Sequence, residues 1–163
     1  MLTANAQIEF SWATGIGSTL NDFANSVTED NTGAIITGGY FQEFMDFDPG
    51  PENAYIDPVT TSAYVTKVDA SGNFIWAKQF ESSGSGRIVS SVIDKSGNLN
   101  IVGTSYGQVD IDPSDGISIF NSNILSNSGM FYTKLDSSGN LIWGNALKHT
   151  GNTSYGIGVY SDH

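Results

Sequence analysis

The sequence predicts an all-β fold assembled from four-stranded antiparallel units, two of them complete. Three observations carry this. YVTKVDASGNFIWAK (64–78) returns as FYTKLDSSGNLIWGN (131–145), a spacing of 67 residues. Apolar runs of strand length alternate with turns rich in Asp, Ser, Asn and Gly. The 163 residues include 19 Gly and are 39% hydrophobic but only 14% charged, a balance that suits many short strands and excludes a disordered tail.

Residues 1–7, MLTANAQ, contain Ala4-Asn5-Ala6, which has the A-x-A form of a signal-peptidase site. The charged and apolar parts of a signal are missing. The stretch therefore reads as a signal-peptide remnant or a disordered start. Residues 8–21 are expected to hold the last strand of a preceding unit, because Phe10-Ser11-Trp12-Ala13 matches Phe74-Ile75-Trp76-Ala77.

The first complete unit is 22–80, with strands expected at Phe23 to Glu29, Ala34 to Phe41, Ala63 to Asp69 and Phe74 to Phe80. The second is 81–148, with strands at Ile88 to Asp94, Leu99 to Tyr106, Met130 to Asp136 and Leu141 to Leu147. Residues 149–163 read as the start of a third unit, with a strand over Gly156 to Ser161. Asp69–Asn73 and Asp136–Asn140 supply the hairpin turns, with Asp to cap the backbone and Gly to take the left-handed conformation. Asp30–Gly33 and Asp94–Gly97 repeat that chemistry. Aligning Asp30–Gly38 with Asp94–Gly103 takes one inserted residue, which pairs Gly38 with Gly103.

Several strands, such as AIITGGYF, are apolar on both faces, which implies that each sheet lies between neighbouring sheets. Residues two apart share a strand face. Phe10 with Trp12, Phe74 with Trp76 and Leu141 with Trp143 are thus expected as paired wedges between sheets. Because the tryptophans recur at a framework position, this packing role outweighs one as platforms for sugars or bases. Stacked four-stranded units at this period describe a β-propeller, here an incomplete ring of about two blades plus flanking strands. A β-sandwich needs no such near-identity, and a solenoid coil has a shorter period.

Asp46-Phe47-Asp48-Pro49-Gly50 returns as Asp110-Ile111-Asp112-Pro113-Ser114. In extended backbone, Asp46 and Asp48 face one side, as do Asp110 and Asp112, and Glu52, Asn53, Asp57 and Asp115 stand nearby. Calcium takes six to eight hard oxygen ligands and suits such a set, although no EF-hand loop is present. The competing role is structural, the Asp side chains capping the amides of a tight turn.

The unit T-K-[VL]-D-x-S-G-N-[FL]-I-W, with D-x-D-P-G upstream and D-x-x-G-x-x-x-x-G further upstream, resembles the bacterial SBBP repeat, named for a seven-bladed β-propeller, over about residues 10–163. The resemblance implies a secreted or cell-surface protein of Bacteroidetes-type bacteria and no common reaction. Ser114 departs from the pattern where the first copy has Gly50. A seven-bladed ring needs roughly 450 residues, so the chain is expected to be a piece of a larger protein. Its partners would then be the remaining blades, or further copies through self-association.

The net charge of −11 argues against nucleic acid and anionic membranes as partners. No apolar run is long enough to span a bilayer as a helix. With no Cys, and with only His149 and His163, thiolate and histidine-rich metal sites are excluded. No G-x-S-x-G, H-E-x-x-H or phosphate loop occurs. A carboxylate pair repeated in every unit suits structure better than a single glycosidase site. The expectation is a non-catalytic extracellular module that binds a protein or glycan, with variable loops over Gly50 to Ser62 and Ser114 to Ser128. The alternative is a calcium-stabilised structural spacer.

Overall fold

The computed structural model describes residues 10–121, 128–147 and 158–160. Every regular element among them is a strand. β1 (Phe23–Glu29), β2 (Ile35–Phe41), β5 (Ser62–Val68) and β6 (Phe74–Phe80) form one antiparallel sheet in the order β1-β2-β5-β6. β7 (Gly86–Ile93), β8 (Leu99–Tyr106), β11 (Ser128–Leu135) and β12 (Leu141–Leu147) form a second, ordered β12-β11-β8-β7. Each sheet is an up-and-down meander, interrupted after its second strand by a two-stranded hairpin. β3 (Met45–Asp46) pairs with β4 (Tyr55–Ile56) in the first unit, and β9 (Gln108–Asp110) with β10 (Ile119–Asn121) in the second.

The eight long strands lie where the sequence predicts them, to within two residues at each end. The turns explain why. Asp30 Oδ1 accepts from the backbone N–H groups of Thr32 and Ala34, and Asp69, Asp94 and Asp136 cap their turns in the same way. Gly33, Gly72, Gly97 and Gly139 close these turns at φ +82°, +86°, +80° and +81°, a region that disfavours any residue with a Cβ. The two hairpins around the acidic turns were not anticipated, because each strand is only two or three residues long.

The two units are related by stacking. The face of the first sheet that carries Ile36, Ala63, Val65 and Phe80 packs on the face of the second that carries Ile88, Leu99, Ile101, Phe131 and Leu135. Phe80 and Phe131 meet at 5.5 Å between ring centroids. Burying such rings contributes about 1.5–3 kcal/mol each. The opposite face of the first sheet forms a separate cluster of Phe41, Met45, Phe47 and Tyr64, against which Ile16 of the leading segment packs.

Three expectations require correction. Phe74 and Trp76 do not share a face. Val68 pairs with Phe74 and Lys67 with Trp76, so Ile75 is an extra residue in a β-bulge. Phe74 therefore joins the cluster of Phe41 and Tyr64, and Trp76 packs on the core between the sheets. The same skip at Ile142 separates Leu141 from Trp143. Second, no residue is inserted between the units. Gly39 pairs with Tyr64 and Gly103 with Phe131, so Gly39 is the counterpart of Gly103. A Cβ at Gly103 would lie 2.2 Å from the Phe131 ring, which explains glycine there. Third, of residues 8–21, expected to hold a strand around Trp12, the described part, 10–21, forms none. A fourth strand needs a third to pair with, and none lies beside this segment among the described residues. Of the strand expected over Gly156 to Ser161, the described residues 158–160 form none; the rest of 149–163 and residues 1–7 lie outside the described residues.

Candidate functional site

The acidic pairs are the first candidates the sequence offers. Each sits in its own hairpin. Asp46 Oδ1 accepts from the backbone N–H of Asp48 at 3.0 Å and of Ala54 at 2.8 Å. Asp48 Oδ1 accepts from Gly50 N–H at 2.7 Å. In the second unit Asp110 Oδ1 accepts from Asp112 N–H at 3.0 Å and Ser118 N–H at 2.9 Å, and Asp112 Oδ1 from Ser114 N–H at 3.0 Å. The four Oδ1 atoms thus hold both hairpin loops closed. Among the described residues, no three His, Asp or Glu side chains gather in a group suited to a metal ion. Glu52, Asp57 and Asp115 therefore do not complete such a set with the paired carboxylates.

A second constellation repeats across the unit boundary. Trp12 Nε1 donates to the carbonyl of Ala70 at 2.8 Å, and Trp76 Nε1 to that of Ser137 at 3.2 Å. Ala70 and Ser137 hold the same place in the third-to-fourth-strand turns. The tryptophan of one unit thus caps the turn of the next. The glycines of those turns accept the indoles closely: a Cβ on Gly72 would stand 3.0 Å from Trp12, and one on Gly139 3.5 Å from Trp76.

Lys67 reinforces this lock. Its ammonium lies 2.8 Å from Asp30 Oδ2 and donates to the Ser137 carbonyl at 3.3 Å. Lys134 repeats the ion pair with Asp94 at 2.6 Å. Burial works to raise the Asp30 pKa, but the Lys67 ammonium and the turn amides outweigh it and hold the carboxyl well below the usual range. Asp94 is depressed chiefly by Lys134. At Tyr64 burial, followed by Asp22, pushes the phenol up to about 12. The Asp–Lys pairs are the signature of a structural network, repeated in both units.

The third feature does not repeat. At the junction of the two sheets Tyr40, Gln42, Thr61, Arg87, Thr104 and Tyr106, together with Ser85 and Gly86, line an open cleft of about 370 Å³. Arg87 is the chain's sole arginine. Its Nε donates to Thr104 Oγ1 at 3.2 Å, and among the described residues no carboxylate lies within ion-pair range. Gln42 Nε2 donates to Thr61 Oγ1 at 3.3 Å. Among the described residues no acidic side chain lines the cleft, although the chain has 17 Asp and Glu.

Sequence reasoning missed this cleft. The signal was present as a departure from the repeat. Phe23 pairs with Tyr40 across the first sheet and Arg87 pairs with Thr104 across the second, at equivalent positions. Of the described residues in the predicted variable stretches, Thr61 alone lines the cleft. No family model matches the sequence, and no curated protein matches it significantly.

Proposed function

We propose that the chain is a run of blades from an extracellular β-propeller of the SBBP type, serving as a non-catalytic module that binds a protein or glycan on a larger surface protein. One observation carries the reading: equivalent positions are buried where the second sheet covers the first and open on the second sheet's far face among the described residues. Phe80 is 0% exposed beneath the second sheet, whereas Leu147, its counterpart, is 58% exposed. Val65 is buried, and its counterpart Tyr132 is partly open. Trp76 caps the next turn, while Trp143 is 49% exposed and stacks on Tyr132, at 5.0 Å. A sheet face of this kind fits a further unit stacked in the same way, as in a propeller ring.

The described tail supports this. Val159 N–H donates to Ser90 Oγ at 3.2 Å, as Ser91 N–H donates to Ser26 Oγ at 2.8 Å. Ser26 and Ser90 are equivalent, pairing with Gly38 and Val102. Val159 thus meets the second unit at the place where Ser91 meets the first, which fits a further unit docking there.

The test is a chain extended by one further copy of the repeat. Trp143 emission should shift to the blue, and the Leu147 amide should gain protection from hydrogen exchange. An extended chain in which both stay unchanged would refute the stacking. The binding role is read separately, by protein and glycan arrays probed with the parent protein. Silence on every array would remove it.

A further inference from the structure

We propose that the cleft at the junction of the two sheets binds an acidic saccharide residue, its carboxylate held by Arg87. The inference deepens the binding-module reading and rests on it. Residues that recur between the units are tied to stacking and turns, as Trp12 and Trp76 are. A ligand site must sit where the copies differ. At the start of the first sheet Phe23 and Tyr40 stack at 4.9 Å and fill the cross-strand slot with two rings. In the second sheet the equivalent slot holds Arg87 and Thr104 in place of the two rings.

The chemistry of the cleft is that of an anion site within an acidic molecule. The Arg87 Nε is held by Thr104, which leaves the two terminal nitrogens without a partner among the described residues. That planar pair matches the two oxygens of a carboxylate. The −11 chain repels polyanions at a distance, so the ligand must carry its charge locally.

Tyr40, Tyr106, Gln42 and Thr61 line the same cleft, and their hydroxyls, amide and rings suit a hydroxyl-rich ring with an apolar side. The cleft is also of a size for a small ligand. A peptide carboxylate is the weaker fit. Such termini are captured by free backbone amides, whereas the Gly86 N–H is bonded to the Thr61 carbonyl and the Tyr106 N–H to that of Ser85, each at 2.8 Å.

The experiment is saturation-transfer NMR and calorimetry on the 163-residue chain with D-glucuronate, N-acetylneuraminate, D-glucose and a tripeptide bearing a free carboxylate. At least one acidic sugar should bind, and glucose should not. Arg87→Gln should weaken binding at least about tenfold, and Arg87→Lys should also weaken it, because a lysine lacks the fork. Arg87 is exposed, so the melting temperature should not move. Undiminished binding by Arg87→Gln, equal binding of glucose, tighter binding of the peptide, or no saccharide signal would each overturn the assignment. A ligand found on the arrays but insensitive to Arg87→Gln would sink the cleft and leave the module reading standing.

Discussion

Phe80 and Leu147 hold the same place in their units, and truncating each to alanine tests the stacking directly. Phe80 is completely buried in the core between the sheets and meets Phe131 at 5.5 Å. Its removal strips a ring from packed surroundings on both sides. A buried Phe→Ala change costs about 3–5 kcal/mol, the transfer loss plus the cavity left behind. Leu147 is 58% exposed, and its loss should stay within about 0.5 kcal/mol. Urea unfolding followed by circular dichroism gives both values, provided the denaturant slope is unchanged between variants. The expected order is a large drop for Phe80→Ala and almost none for Leu147→Ala. Similar costs at the two positions would mean that the second sheet's outer face is already covered, and the argument for a further unit would fail.

The ion pairs give a pH signature. Asp30 and Asp94 have folded pKa values held below the unfolded 3.8, so their stabilisation is complete above that pH and fades as pH falls beneath it. Asp30→Asn should cost on the order of 2 kcal/mol at neutral pH. In melting curves its deficit against the parent should shrink below about pH 4, and a deficit that grows in acid would contradict the pairing. Gly72→Ala and Gly97→Ala separate backbone strain from packing. Both bear the left-handed penalty of about 1–2 kcal/mol, but only Gly72 also faces the Trp12 indole, while a Cβ on Gly97 meets open space. Gly72→Ala should be the more destabilising in denaturant titrations. For the acidic turns, Asp46→Ala should cost about 1 kcal/mol through the lost amide caps, whereas Asp46→Asn keeps an accepting oxygen. Melting temperature should be the same in calcium and in chelator, and a calcium-dependent rise that Asp46→Asn abolishes would establish an ion site instead.

The strands were legible because the same residues both terminate and register them. An Asp that caps its own turn and a Gly in the left-handed region announce a hairpin in either copy, whatever packs around it. Faces were less legible. Period two assigns Phe74 and Trp76 to one side, and a single bulged residue, Ile75, reverses that. Nothing local distinguishes Ile75 from a regular strand residue. The bulge serves the tertiary arrangement, since it lets Phe74 fill the cluster of Phe41 and Tyr64 while Trp76 reaches Ser137 in the next unit. The alignment of Gly38 with Gly103 failed for a related reason. Identity of residue type suggested an insertion that the ladder does not contain. Gly38 is small because the Ile88 side chain of the next sheet would lie 2.9 Å from its Cβ, and Gly103 because Phe131 crosses it.

The same logic bears on where function can reside. A residue fixed by stacking in one copy is fixed in the next, so its recurrence says little about ligands. The acidic turns are of this kind, with matching bonds in both hairpins. The start of each sheet's first strand is freer. Phe23 is 50% exposed and belongs to neither apolar cluster, so its counterpart can become Arg87 without disturbing the contact between sheets. The exchange of Tyr40 for Thr104 across the ladder supplies the hydroxyl that steadies the guanidinium. Two coupled differences at one cross-strand pair, facing a cleft without carboxylates, are hard to ascribe to the framework, which tolerates Phe and Tyr there equally well. Repetition therefore identifies the scaffold of this chain, and the break in repetition at Arg87 identifies where a ligand should be sought.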